Sequence, residues 1–322
     1  MENIEKIEFN KERDFSETLG AAFTFVRQNF KVLISAILFL AGPLLLLSAI
    51  LTSIYVQNMF NFASLGTVDN FDMLSSVFSP VYFLVIIISI VASILIIGIT
   101  YESLVMYEKN GHKALSVAGI WQAVLKDAGM LFSTFFYLMG ILIVFGFAMA
   151  LVVLIFSAIG VVGVSIFMFL FFIAMLIFGP PLMFLISAIY PIRIRERIGN
   201  NAAFKKAYQL MRANFWNTWI VIFVSYLIVS LLALIFSLPQ SIYAGATQLS
   251  SVYDGTYGEG STIFFTILNI ISIVGSSIIN ALLFIIIGFH YFSTNEKVFG
   301  VGWSEKIDSI GTHTDDNEDI TI

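Results

Sequence analysis

The chain contains no cysteine, which excludes disulfides, thiolate nucleophiles, zinc–thiolate sites and iron–sulfur clusters. Charge is scarce as well: 11% of the 322 residues are Asp, Glu, Lys or Arg, against about 25% in a soluble globular domain. Histidine occurs only as His112, His290 and His313, one in a loop, one at the end of an apolar run and one in a polar tail. A membrane di-iron or retinal-cleavage site needs several histidines converging inside the bilayer, and this set cannot supply them. G-x-S-x-G, Walker, dinucleotide-glycine and H-E-x-x-H patterns are also missing. The expectation is a non-enzymatic protein without cofactor or metal and without a nucleic-acid partner.

What the sequence does have is apolar bulk: 59% hydrophobic residues, including 33 phenylalanines. A helix needs about 20 mostly apolar residues to cross the hydrocarbon layer, and six runs qualify, at 32–56, 80–107, 129–156, 160–190, 216–238 and 263–291. The fold class expected is therefore an all-α membrane protein with six transmembrane helices. A run of 28 residues makes about 42 Å of helix, more than the layer requires. Gly42-Pro43 and Gly179-Pro180-Pro181 mark expected kinks. The first seventeen residues carry charges of both signs, and the first apolar run lacks a small-residue cleavage site. It is expected to stay as a membrane anchor.

Orientation follows from the cations. All 16 Lys and Arg fall in the N-terminal segment, in 108–128, in 191–215 or in the C-terminal tail. The connections 57–79 and 239–262 carry only Asp69, Asp72, Asp254 and Glu259. Basic residues near span ends resist translocation, so both termini are expected in the cytoplasm and the chain in the cytoplasmic (inner) membrane.

The basic segments repeat a pattern. Asp14 followed by Glu17 is a capping-box signal. Phe15, Leu19, Phe23, Val26 and Phe30 then line one helical face. At an offset of 185 residues, Leu19 matches Phe204, Ala22 matches Ala207, Phe23 matches Tyr208, and Arg27-Gln-Asn-Phe30 matches Arg212-Ala-Asn-Phe215. A weaker copy at an offset of 98 places Val117, Ile120, Trp121 and Val124 in the same register, with Lys126 and Asp127 supplying charge. The implied architecture is three repeats of an interfacial amphipathic helix plus a transmembrane hairpin. The segments are 1–31, an N-terminus with the first amphipathic helix; 32–107, hairpin one; 108–128, a loop with the second; 129–190, hairpin two; 191–215, a basic loop with the third; 216–291, hairpin three; and 292–322, an acidic tail.

Three groups of polar residues are candidates for function. Arg193, Arg195, Arg197, Lys205, Lys206 and Arg212 form a basic cluster that suits an acidic phospholipid headgroup, although topology alone accounts for such charges. Asn200 and Asn201 are positioned to cap the following helix. Asn269, Ser272, Ser276 and Asn280 share one face of the sixth span, as interhelical hydrogen bonding or as a polar seam lining a path. Glu102 is the carboxylate nearest a span interior. It serves as a proton relay, pairs with Arg27 or Arg212, or reaches interfacial water.

The stretch Phe/Leu-x-x-Ala-Phe/Tyr-x-x-Val/Met-Arg-x-Asn-Phe at 19–30 and 204–215 resembles that of uncharacterised bacterial six-span integral membrane proteins. It is similar to the membrane domain attached to some glycerophosphodiester phosphodiesterases, whose catalytic domain has no counterpart here. Relatives sometimes carry the label carotene monooxygenase, a chemistry the three histidines do not support. The resemblance implies a six-span fold, and the phosphodiesterase activity does not carry over with it. The expected role is scaffolding, regulation or membrane organisation, with membrane lipids and a cytoplasmic-face protein as partners. The alternative is a transporter or lipid-translocating protein using the span-six seam, and the third reading is a membrane-embedded enzyme.

Overall fold

The computed structural model of the chain describes residues 7–64, 78–111, 115–254 and 259–300, with side chains except at 57–64, 248–254 and 259–261. The 65–77 connection with Asp69 and Asp72, His112, His313 and the acidic tail lie outside the described residues. The elements they form are all helical: α1 (Phe15–Ala36), a π turn (Ile37–Ala41), α2 (Gly42–Ser64), α3 (Pro80–Asn110), α4 (Val117–Ser157), α5 (Val161–Glu196), α6 (Asn200–Ala213), α7 (Phe215–Asp254) and α8 (Glu259–Phe299). Six of the helical runs are long and apolar enough to cross a membrane, because only helices or closed barrels satisfy every backbone group in lipid.

Local chemistry sets the boundaries. Asp14 Oδ1 accepts from Glu17 N at 2.8 Å, and Glu17 Oε2 accepts from Asp14 N at 3.2 Å, the reciprocal cap read from the sequence. Gly42 N–H reaches Ile37 O, five residues back. This wider turn accommodates Pro43, whose ring would otherwise crowd the carbonyl four residues before it. Pro180, Pro181 and Pro191 lie within α5 without ending it. Gly160, at φ 81°, closes the short turn between α4 and α5.

The amphipathic segments differ from their expected form. The first runs without a stop through α1 and the π turn into the span, and the second is the opening of the continuous α4. No Pro or capped end separates either from its apolar run, and α4 continues straight through Gly129 at the second junction. Only the third is a helix of its own, α6, ended by Asn214 at φ −134°, ψ 38°.

Helix α8 is the axis. From Ala281 to Glu296 every residue but Phe284 is buried, as befits a helix packed on all sides. It approaches α7 so closely at Gly275 that a methyl group there would run into the Phe236 ring. Helix α4 docks through Ile120, Val124, Asp127, Leu131, Thr134 and Leu138, all buried and spaced by three or four. Beyond Leu138 that contact ends: between Leu138 and Pro181 only Gly163 and Phe167 are buried. The far half of this hairpin stands outside the bundle.

Candidate functional site

The ends of the helices bearing Lys and Arg meet on one face of the molecule, and the end of α5 organises it. Arg193 Nη1 donates to Thr134 Oγ1 at 2.6 Å and to Met130 O at 3.0 Å, and its Nε donates to Ile198 O at 3.2 Å. These bonds tie α5 to the docked stripe of α4. Arg195 pairs with Glu108 at 2.7 Å, donates to Asn10 Oδ1 at 2.9 Å and lies 5.1 Å above the Phe292 ring. Arg197, in the left-handed conformation that ends α5, donates to Asp127 Oδ1 at 2.5 Å. That bond holds the Arg197 pKa above its ordinary value, against partial burial.

Glu196 accepts from Lys206 Nζ at 2.7 Å and from Tyr291 Oη at 2.8 Å, joining α5, α6 and α8. The N-terminal segment is tied in as well. Arg13 N donates to Ser293 Oγ at 2.8 Å, Lys297 pairs with Glu12 at 3.2 Å, and Phe9 packs among Tyr107, Phe289 and Phe292.

Four members of the basic cluster, Arg193, Arg195, Arg197 and Lys206, thus have protein partners. Lys205 and Arg212 are exposed. Asn200 and Asn201 do not cap α6: the position before it is Gly199, without a side-chain bond. Asn200 Nδ2 donates instead to Ser133 Oγ at 3.1 Å, pinning α6 to α4.

Glu102 neither reaches water nor pairs with Arg27 or Arg212. It is 3% exposed, and its carboxyl group lies close enough to that of Asp127 for the two to interact. Arg197 neutralises Asp127 from the other side. Glu102 Oε1 and Asp127 Oδ2 are buried and have no hydrogen-bond partner among the described residues. The pairing follows from helix geometry: Asp127 occupies a core position in the stripe of α4, so it must face α3.

The span-six residues divide. Asn269 Nδ2 donates to Ala49 O at 2.8 Å and to Ser53 Oγ at 3.0 Å, fastening α8 to α2. Ser272 is buried, Ser276 is half-buried and Asn280 is exposed, so the stripe turns from the α2 interface out to the surface of the bundle. His290, fully buried, shares a hydrogen bond with Thr218 Oγ1 at 2.9 Å and packs on the Phe184 ring. Among the described residues no three His, Asp or Glu stand close enough to hold a metal.

The sequence reading missed Glu108, Glu196 and Tyr190, and gave Asp127 no partner. Asp127 carried a visible signal, a charge on the apolar face formed by Ile120, Val124 and Leu131. Comparison with known families, with curated proteins and with solved structures finds no match to this chain.

Proposed function

We propose that this chain is a non-enzymatic, multi-pass protein of the cytoplasmic membrane, with both termini in the cytoplasm, that organises neighbouring molecules in that membrane. The observation that carries the reading is a contrast between the two ends of one hairpin. At the basic face α4 is braced against α5 by Arg193 and Arg197 and against α6 by Asn200. In their far halves Val144, Phe147, Leu151, Phe169 and Phe172 face outward, from 63% to 72% exposed. A braced base with an uncovered apolar hairpin suits lateral association within the bilayer.

The threefold repeat belongs to this reading. Ala22 and Ala207 are both fully buried, while Phe23 and Tyr208 are 41% and 46% exposed. Arg27 and Arg212 are both exposed. Headgroup contact narrows to Lys205 and Arg212, the two members of the basic cluster that are exposed and hold no ion pair among the described residues.

The test is a photoreactive side chain placed at Phe147 or Phe169 in native membranes, with Leu231 on the third hairpin as control. A protein adduct of one defined mass at the first two positions and not at Leu231 supports the proposal. Lipid adducts alone at all three refute it. The second reading, a lipid-translocating path, is favoured by Asn280, which is exposed in mid-span without a hydrogen bond from any described residue. Asn280→Leu that abolishes flux while leaving stability unchanged selects that reading.

A further inference from the structure

A groove of 630 Å³ runs between α3, α4 and α5 on the side of the bundle facing its surroundings. Its volume lies within the range of about 300–1,000 Å³ typical of ligand sites. Ile97 contributes from α3, Leu142 from α4, and Gly179 and Met183 from α5, while Phe204 of α6 also lines it. On α5 the lining residues Met175, Gly179, Met183, Ser187 and Tyr190 recur at intervals of four or three, so one face of that helix forms a wall.

Polarity changes along that wall. Met175, Gly179 and Met183 offer only apolar surface. Ser187 Oγ is occupied by the Tyr101 hydroxyl at 2.5 Å. Tyr190 is 4% exposed, lines the groove, and has no hydrogen-bond partner for its hydroxyl among the described residues. A hydroxyl with no protein partner in a largely apolar groove is poorly satisfied there, and this one stands where an occupant can supply an acceptor. Next to the groove-lining Phe204, α6 carries exposed Lys205, and Arg212 is exposed two turns further on.

We propose that this groove binds one acyl chain of an anionic phospholipid. The chain lies along Gly179 and Met183, an ester oxygen of the glycerol region accepts from the Tyr190 hydroxyl, and the phosphate lies toward Lys205 and Arg212. The order of chemistry along the wall, apolar and then donor and then cation, is the order of chemistry along a phospholipid. The dimensions agree as well. From Gly179 to Tyr190 is eleven residues, about 16 Å of helix, close to half of a hydrocarbon layer about 30 Å thick. One leaflet's chain fills that depth. A second copy of this chain would place apolar side chains, which accept no hydrogen bond, against Tyr190. The proposal is independent of any partner for the far half of the hairpin, which is read out at Phe147 rather than in the groove.

The experiment uses the full chain in nanodiscs of phosphatidylethanolamine and phosphatidylglycerol, with a trace of phosphatidylglycerol bearing a photoreactive diazirine in one acyl chain. Mapped adducts are expected to concentrate on Met139, Leu142 and Met183, several-fold above those on Leu154 or Phe172. Gly179→Phe fills the groove, and no atom lies within 4 Å of where its Cβ would sit. It is expected to lower the groove adducts about tenfold with helix content and thermal stability retained. Tyr190→Phe keeps the packing and removes one donor, so a reduction of about three- to tenfold is expected. Lys205→Gln with Arg212→Gln is expected to abolish the preference for this probe over its phosphatidylcholine analogue. Adducts spread evenly over all exposed faces and unmoved by Tyr190→Phe indicate annular lipid only and overturn the proposal. Chain-to-chain adducts in the groove overturn it in favour of self-association.

Discussion

Replacing Arg197 with alanine removes the cation that faces Asp127 and leaves two carboxyl groups in contact under the basic face. Were both partners deeply buried, the loss would be about 3–5 kcal/mol; were both fully exposed, it would be about 0–1 kcal/mol. The Asp127 side chain is 6% exposed and that of Arg197 is 48% exposed. Water therefore reaches one partner and replaces part of the interaction. A cost of about 1–3 kcal/mol is expected, the range of a hydrogen bond to a charged group. Glu102→Gln supplies the discriminating partner: a glutamine amide there brings a donor within reach of Asp127 and removes one of the two carboxyl groups, so alone it should change stability by less than about 1 kcal/mol. In that background Arg197→Ala should cost about 1 kcal/mol less than in the wild type, because Asp127 keeps a donor. Equilibrium unfolding of the four proteins in mixed detergent micelles measures the cycle. Additive losses, with Glu102→Gln as damaging as Arg197→Ala, would refute the assignment of Glu102 and Asp127 to one network.

The other expectations rest on different contacts. Arg195→Gln removes a pair with side chains only 13% and 14% exposed and should destabilise by about 3–5 kcal/mol, whereas Lys297→Ala, from a pair 46% and 59% exposed, should cost less than about 1 kcal/mol; thermal unfolding of the two variants reads the ranking. Asn269→Leu should lower stability by about 0.6–2 kcal/mol through loss of its bonds to Ala49 and Ser53, and Ser53→Ala by less. Gly275→Leu should cost about 1–3 kcal/mol by forcing α7 and α8 apart at Phe236, measurable by the same unfolding assay.

The helical class and the six apolar runs were legible because the energetics that create them act residue by residue along the chain. The cap at Asp14 and Glu17 was equally legible, being local. Partner choice at the basic face was not. Arg193, Arg195 and Arg197 look alike in sequence and differ only in what α1, α3 and α4 bring against them: Thr134, Glu108 and Asp127. Glu102, by its depth alone, left a proton relay, a pair with Arg27 or Arg212 and contact with interfacial water all open, and the docking of α4 covers it beside Asp127. The span-six stripe kept its helical spacing, but α2 takes up Asn269 and leaves Asn280 outside. Asn200, a good cap by residue type, falls one position inside α6 because Gly199 holds the cap place, and its amide reaches Ser133 of α4 instead. In each case a contact between elements overrode a preference read along one of them.

The absence of cysteine makes the threading of the chain directly measurable with single introduced thiols. Ala158→Cys sits in the turn between α4 and α5, and Asn201→Cys sits at the exposed start of α6. In intact cells a membrane-impermeant maleimide should modify position 158 and spare position 201, with the reverse in inverted vesicles. Modification of both positions from the same side would contradict a hairpin that crosses the bilayer and, with it, the opposition of braced basic face and far turn on which the functional reading stands.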